Sequence, residues 1–194
     1  MRQHEQRRQE GAEQEQQQLP VGRELRVAGE GRERQAQHQR YADGQANRQA
    51  APAAAAIRQR DPSFDPVEFL EGARTAYATI VRGFSAGDRD ALRPLLSEPV
   101  MASFDAAIAQ REAEGRSESV EFLHPPRADL DQLELEGDIA RARVRFLGEL
   151  RTRSKGPEGE AVDDRRTAEI WTFERNVTSA DPNWILARVE PAEA

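Results

Sequence analysis

Cysteine is absent from this chain of 194 residues, which excludes disulfides, thiolate nucleophiles and cysteine-based zinc sites. Aromatic residues are scarce, at 6% of the sequence. The sequence also lacks an apolar run long enough to cross a bilayer or to form the core of a signal peptide. These absences narrow the expected functions to non-covalent binding or to chemistry carried by ordinary polar side chains.

Charge and aromatic content divide the chain into two unlike parts. Residues 1–60 contain 11 Lys and Arg against 8 Asp and Glu, with no Phe or Trp, whereas residues 61–194 contain 17 against 27. A segment so poor in apolar area cannot offset the entropy of ordering. We therefore predict a disordered Gln/Arg/Ala-rich segment over 1–60 and one folded domain over 61–194. Charges of both signs alternate in the first segment, which disfavours nucleic-acid binding.

Helical patterns open the predicted domain. Asp65 and Pro66 have the positions of an N-cap and a first helical residue, and Gly87 is placed to end the helix. A short helical segment is predicted over Asp88–Leu96, and a third helix from Ser97 to Gly115. The first helix carries an apolar stripe at helical spacing, formed by Leu70, Ala73, Tyr77, Ile80, Val81 and Phe84.

Beyond Gly115 the apolar residues recur at every second position, which is typical of strands. Gly137 and Asp138 predict a tight turn, and residues 155–160 predict a polar hairpin loop. In the C-terminal region Trp171 and Phe173 share one strand face while Ile170 lies on the other. We predict an α+β fold in which the N-terminal helices pack on a curved antiparallel sheet. Apolar residues on both faces indicate either a pocket or a covered second surface.

Several sequence segments resemble the C-terminal domain of the mitochondrial import scaffold Tim44 and its bacterial, TimA-type relatives. The resemblance runs from about Phe64 to Val189, and its most specific part is Trp-Thr-Phe-Glu-Arg at 171–175 followed by Pro-Asn-Trp at 182–184. The other segments that carry it are Phe69–Tyr77, Leu95–Ser97 with Val100 and Phe104, Ile108 with Arg111, Glu112 and Gly115, and Ala142–Phe146.

This resemblance implies a cone-shaped fold similar to nuclear transport factor 2, with a large apolar pocket. It also implies a non-enzymatic adaptor attached peripherally to an inner membrane, acting in protein translocation or membrane protein biogenesis without a cofactor. The implied partners are inner-membrane lipids and membrane or translocating proteins, with no nucleic acid, and the oligomeric state stays open. Bacterial relatives usually begin with a transmembrane helix. We therefore hypothesise that residues 1 to about 55 are not the native N-terminus, which translation of the upstream DNA would test.

Six residues are predicted to line the apolar pocket, and no catalytic residue is predicted. The pocket would hold a lipid acyl chain or a hydrophobic polypeptide segment. Two alternatives stay open: a small enzyme of dehydratase or isomerase type that uses Tyr77, and a ribosome-associated receptor, which the acidic charge of the folded part disfavours. The predicted pocket residues are Tyr77, Phe104, Ile108, Phe146, Trp171 and Phe173.

Three arginines at alternate positions, Arg141, Arg143 and Arg145, are predicted to form one row on a strand face. They would either pair with acidic residues of neighbouring strands or face anionic lipid or a partner.

Metal binding is not expected. His124 precedes Pro125 and Pro126, a pattern more typical of a turn than of a metal ligand. The acidic residues Asp129, Asp131, Glu134 and Glu136 are interpreted as a solvated strand face, and a cation site or an acid-base pair is the weaker alternative.

Overall fold

A computed structural model of the protein describes residues 50–192. The described part begins with a helical segment over residues 50–58 (α1), in which Ala50, Ala54 and Ile57 are buried at helical spacing. Folded structure thus extends into the segment that composition predicts to be disordered. The average over 1–60 conceals this short amphipathic stretch, because alanine contributes little to hydropathy. The rest of the predicted disordered segment, 1–49, lies outside the described residues.

The second helix, α2, spans Pro66–Ala86. Its first backbone amides are capped as predicted, since the Asp65 carboxylate accepts hydrogen bonds from the N–H groups of Val67 at 2.7 Å and Glu68 at 3.3 Å. The helix ends at Gly87, whose φ of 72° is left-handed. The predicted apolar stripe is buried at Ala73, Tyr77, Ile80 and Val81 and half-buried at Leu70 and Phe84, and Phe69 joins the buried side.

Two further helices follow, α3 over Arg89–Leu92 and α4 over Glu98–Ala113. The predicted start of α4 at Ser97 is confirmed, but the Ser97 side chain forms no capping hydrogen bond. The Ser97 backbone instead donates to the carbonyl of Leu186 at 2.9 Å, and Leu186 donates to the carbonyl of Leu95 at 2.8 Å. These bonds attach the α3–α4 connection to the last strand.

Five antiparallel strands form one sheet: β1 Ser117–Phe122, β2 Arg127–Glu136, β3 Ile139–Gly156, β4 Gly159–Asn176 and β5 Ile185–Pro191. The strands β3 and β4 pair along all 18 of their residues. β1 and β2 lie end to end on one edge of β3, and β5 pairs with β4 on the opposite side. The predicted α+β architecture of helices followed by an antiparallel sheet is confirmed. The loop predicted over 155–160 is shorter, because both strands continue to a two-residue turn at 157–158.

Alternation along β3 and β4 separates an inner face, which meets the helices, from an outer face. Trp171 and Phe173 are buried on the inner face, and Ile170 is half-buried on the outer face, as the alternation predicts. The arginines at 141, 143 and 145 also lie on the outer face, each between two buried inner residues.

The α1–α2 connection is held by two ion pairs. Arg60 pairs with Asp138 at 2.6 Å, where both side chains are exposed, and Asp61 pairs with Arg175 at 2.8 Å, where side-chain exposure is only 11% and 12%. Hydrogen bonds from Ser63, together with the charge of Arg175, hold the pKa of Asp61 below its ordinary value of 3.8. The second pair therefore fixes the start of α2 at the end of β4.

Two glycines, Gly72 inside α2 and Gly87 just after its end, allow a matched test of how the helix ends. Gly87→Ala places a side chain at φ 72° and 3.3 Å from a methyl carbon of Ile108, so we expect a loss of about 1–2 kcal/mol in the free energy of unfolding. Gly72→Ala adds a methyl group at an exposed helical position, where it meets no side chain and no backbone beyond its own helix within 4 Å, so we expect the free energy of unfolding to rise by about 0.5–1 kcal/mol. Urea denaturation measures both. Equal effects of the two substitutions would contradict this description of the helix end.

The Asp61 carboxylate, which accepts hydrogen bonds from Ser63 and pairs with Arg175, predicts a pH-dependent stability. Because the pKa of Asp61 is lowered on folding, the ionised carboxylate contributes fully to the free energy of unfolding above pH 3.8. This contribution is lost as the pH falls through the pKa of Asp61 in the folded protein. We expect Asp61→Asn to lower the urea midpoint at about pH 7 and to converge with the wild type in acid well below pH 3.8. Asp138→Asn, which removes the exposed pair, is the control and should change the midpoint little. A deficit of Asp61→Asn that persists unchanged in acid would refute the assignment.

Candidate functional site

The inner face of the sheet and the buried side of α2 meet at a cluster of aromatic rings. Tyr77 of α2 stacks on Phe146 of β3 with ring centroids 4.4 Å apart and an interplanar angle of 9°. Trp171 of β4 lies 4.7 Å from the Tyr77 ring and 5.5 Å from Phe146, and Phe173 is 6.3 Å from Trp171. We refer to Tyr77, Phe146, Trp171 and Phe173 as the aromatic cluster. Edge-to-face and offset ring contacts of this kind each stabilise a folded protein by about 0.5–1.5 kcal/mol more than the burial of their apolar surface alone.

Further aromatic rings continue the cluster toward both ends of α2. At the N-terminal end, Phe69 contacts Phe173 at 6.2 Å and Trp184 at 4.7 Å. Farther along α2, Phe122 of β1 is 5.9 Å from Tyr77. Trp184 and Phe122 are only half-buried, so the two ends of this apolar layer reach solvent.

The six predicted pocket residues are all core residues, with exposures of 3% or less. Four of them form the aromatic cluster. The other two, Phe104 and Ile108, lie on α4, where the Phe104 ring packs 4.7 Å from Phe84. Because the rings of the cluster already contact one another, an apolar guest at this place must separate α2 from the sheet.

A line of polar groups on β4 enters the same layer, and the sequence analysis did not identify it. Thr167 and Glu169 are each 2% exposed and share the face of Trp171. The Tyr77 hydroxyl lies 3.2 Å from Thr167 Oγ1, and Trp171 Nε1 donates to Glu169 Oε2 at 3.0 Å. Both residues lie an even number of positions before Trp171 on the same strand, and this spacing could have predicted that their side chains face the interior.

The electrostatic environment keeps the Tyr77 hydroxyl protonated. Burial, followed by the negative charge of Glu169, raises the pKa of Tyr77 far above its ordinary range, and the Thr167 hydrogen bond and the charge of Arg165 oppose that shift only partly. A tyrosine in this state donates or accepts a hydrogen bond but does not serve as a base near neutral pH.

The arginine row on the outer face lies between acidic residues of the flanking strands. Arg141 pairs with Glu174 at 2.7 Å and also contacts Glu136. Arg143 is 3.4 Å from Asp131 and 3.7 Å from Glu190.

Register places Arg145 opposite Asp129. This arrangement matches the ion-pair interpretation of the row, while contact with lipid or a partner stays a prediction.

A separate surface depression of about 550 Å³ lies at the junction of α3 and α4. Its apolar part is formed by Leu96, Met101 and Ala102. Arg89, on its charged rim, is held by Glu112 through two hydrogen bonds of 2.9 and 3.0 Å. The full lining is Arg89, Arg93, Leu96, Glu98, Met101, Ala102 and Asp105, which includes none of the predicted pocket residues.

His124 lies on the surface, with its side chain 74% exposed and 3.6 Å from Glu149. Within residues 50–192, no three His, Asp or Glu side chains are grouped so that they could hold a metal ion. The helices of this part of the chain are also too short or too polar for any of them to span a membrane.

Comparison with known families assigns this arrangement of helices and sheet. The sequence profile of the Tim44-like domain matches residues 50–191. The chain belongs to the Tim44-like domain family. The match covers the described part of α1 and ends in β5, so the Tim44-like domain includes a helix that lies in the segment predicted to be disordered.

Solved structures similar to this Tim44-like domain are distant. The intermembrane space region of chloroplast protein ARC6 is 12% identical with a TM-score of 0.48, and the alignment covers 64% of this chain and 97% of that one. A conserved protein from Planctomyces limnophilus is 19% identical with a TM-score of 0.36, covering 62% and 94%. A designed β-sheet protein is 15% identical with a TM-score of 0.30, covering 64% and 88%. Likenesses at this level carry no argument about function, and no curated protein matched the chain.

Gly148 tests the packing of the candidate site. A Cβ atom there would lie 3.1 Å from Thr167 Oγ1 and 3.2 Å from the Tyr77 hydroxyl. We expect Gly148→Ala to lower the free energy of unfolding by about 1–3 kcal/mol through overpacking. In a Tyr77→Phe background the missing hydroxyl leaves room, so the cost of Gly148→Ala should be smaller there. Urea denaturation of the four proteins measures the coupling, and strictly additive costs would contradict the proposed contact.

Proposed function

We propose that the protein is a non-enzymatic adaptor of the Tim44 and TimA type. It acts peripherally at an inner membrane, in protein translocation or membrane protein biogenesis, and binds a lipid acyl chain or a hydrophobic polypeptide segment. Membership of the Tim44-like domain family supports this assignment, since the match extends over residues 50–191.

The observation that carries the proposal is the aromatic cluster between α2 and the sheet. Its rings contribute apolar surface from both sides, Tyr77 from the helix and Phe146, Trp171 and Phe173 from the strands. When α2 moves away from the sheet, an apolar guest replaces ring contacts with contacts of the same kind. The energetic cost of opening is therefore offset by the guest, and no such compensation exists for a polar one.

The half-buried ends of the apolar layer provide the entry. Trp184 follows the β4–β5 turn and contacts Phe64 and Phe69, and Phe122 ends β1. Guests reach the cluster from these margins without passing through the sheet.

A second candidate function is an enzyme of dehydratase or isomerase type on the same fold. Its support is the buried Glu169 close to the hydroxyl of Tyr77. Two observations weigh against it. Tyr77 bonds to Thr167 and stays protonated, and Glu169 Oε2 accepts the indole N–H of Trp171, so the two candidate groups are each engaged in structural contacts.

The two tryptophans allow a direct test, because each can be studied alone. Trp184→Phe leaves Trp171 in the cluster as the reporter, and Trp171→Phe leaves Trp184 at its margin. We expect a fatty acid brominated near the end of its chain to quench Trp171 emission saturably, since bromine quenches only on close approach. The unbrominated acid is the control for quenching without contact.

The proposal predicts stronger quenching of Trp171 than of Trp184. Unquenched Trp171 in a folded Trp184→Phe protein, at ligand concentrations that saturate typical acyl-binding proteins, would rule out the cluster as the binding site. A cooperative urea transition in both variants confirms that the reporters sit in folded protein.

A further inference from the structure

One edge of the sheet continues past the end of β5. β5 pairs with β4 over residues 169–174, and the N–H of Ala192 donates to the carbonyl of Ala168 at 3.1 Å. β4 itself begins at Gly159, so the residues before Ala168 pair with β3 on one side. Within residues 50–192, no strand pairs with their other side. We refer to residues 160–166 of β4 as the open edge.

The direction of the backbone decides which residues of the open edge have free backbone groups. In an antiparallel pair the N–H and C=O of one residue point to the same side, and this side alternates along the strand. The Ala168 carbonyl points toward β5, away from β3. Alternation therefore directs four N–H and four C=O groups of the open edge outward. They belong to Glu160, Val162, Asp164 and Arg166. Such a row of donors and acceptors accepts a further strand.

The open edge lacks the features that protect the outer edge of β5. There the α3–α4 connection occupies the backbone of Leu186, and Pro191 has no N–H to offer. Residues 160–166 contain no proline or glycine, and their pairing with β3 has no register shift. The open edge also carries Val162, which is 58% exposed. Both its backbone and this side chain are therefore available to a partner.

The length of the open edge selects one way for two copies of the chain to pair. The two-residue turn at 157–158 bounds it on one side, and β5 bounds it on the other. Antiparallel pairing about a twofold axis uses the whole open edge only when it is centred on Asp163, its middle residue. This register places Glu160 opposite Arg166 of the second copy and Val162 opposite Asp164. By symmetry, each of these contacts occurs twice.

The charges favour the same register. An axis moved to Asp164 sets that carboxylate opposite itself, and an axis moved to Val162 sets Glu160 opposite Asp164. Both shifts bring like charges together, which is destabilising across strands. In the register centred on Asp163, the two copies of Val162 also become diagonal neighbours on one face and cover each other's apolar surface.

Existing ion pairs leave these charges free to join the contact. Glu160 pairs with Lys155 at 3.0 Å, and Arg166 pairs with Glu149 at 2.8 Å. All four side chains are exposed, so solvent screens both pairs and they contribute little to the free energy of unfolding. Glu160 and Arg166 can therefore be shared between their present partners and the second copy.

We propose that two copies of this chain associate through their open edges, with β4 antiparallel to β4 and centred on Asp163. The two sheets then form one continuous sheet. A second copy is the partner because its own open edge supplies both the matching length and the complementary charges. This inference goes beyond the proposed function and does not depend on it, since the aromatic cluster takes no part in the contact.

The first test measures the dimer dissociation constant of the full chain by sedimentation equilibrium at about 0.15 M salt, where long-range repulsion between these acidic chains is screened. Val162→Pro removes an outward N–H and no hydrogen bond between β3 and β4, so we expect dimerisation to weaken by at least about tenfold. Val162→Thr is the control, because it keeps the N–H and the β-branched shape. It should dimerise within about threefold of the parent. A cooperative urea transition of each variant shows that it is folded.

An exchange of charges tests the register. Glu160→Arg and Arg166→Glu each place like charges opposite one another in a dimer of identical copies, so we expect each to dimerise about tenfold more weakly than the parent. In an equimolar mixture of the two variants, both cross-strand pairs are again of opposite charge. The mixture should therefore form heterodimers with an affinity close to that of the parent.

Asp163 gives a test of opposite sign. The proposed register sets the Asp163 carboxylates of the two copies opposite each other, which is its one unfavourable contact. We expect Asp163→Asn to strengthen dimerisation severalfold. A substitution that acted only through the fold of the single chain would not tighten the dimer.

The outcomes are decisive in both directions. A parent protein that stays monomeric up to its solubility limit overturns the inference, and so does a dimer that Val162→Pro leaves unchanged, because it then forms through another surface. Equal affinities of the mixture and of the separate charge variants refute the register. Restored affinity in the mixture, together with tighter dimerisation of Asp163→Asn, supports it.

Discussion

The stacking of Tyr77 on Phe146 is the constraint on which the rest of this structure depends. With planes 9° apart and centroids 4.4 Å apart, the two rings fix both the height of α2 above the sheet and its rotation about its own axis. Gly148 makes this approach possible, because the strand carries no side chain where the Tyr77 hydroxyl comes closest. The positions of Trp171, Phe173 and Phe69 then follow from the helical and strand periods that start at this contact.

Polar groups inside the apolar layer give the packing its specificity. Aromatic surface alone tolerates sliding, because dispersion and hydrophobic contacts have little directional preference. The Tyr77–Thr167 and Trp171–Glu169 hydrogen bonds do have such a preference. If one partner moves away, the buried polar group left behind destabilises the folded protein. The domain thus combines an apolar layer of aromatic rings with directional polar contacts that specify one arrangement of those rings.

Much of the fold could be predicted from the sequence because it is encoded locally. The Asp65 cap, the Gly87 stop and the alternation around Trp171 each depend on residues within one turn or one strand. The resemblance to Tim44, which depends on short sequence motifs around the two tryptophans, indicated the family. The sequence did not indicate that β1 and β2 share one edge of β3, because pairing between distant strands leaves no periodic signal.

The candidate site was less predictable for the same reason. Burial of Tyr77, Phe146, Trp171 and Phe173 follows from their apolar character, but whether such side chains surround a space or occupy it depends on how far α2 lies from the sheet. Glu169 and Thr167 were missed because their types suggest a solvated surface, although their parity with Trp171 places them inside. The helix over residues 50–58 was missed because its inward residues are mainly alanines.

The bonds that join Leu186 to Leu95 and Ser97 have a consequence for synthesis on the ribosome. They attach the α3–α4 connection to β5, which is synthesised after all the other strands of the sheet. Until β5 leaves the exit tunnel, Leu96 lacks its strand neighbour and the edge of β4 that carries Trp171 is bare. The α3–α4 connection therefore takes up its position against the sheet only after β5 has been synthesised.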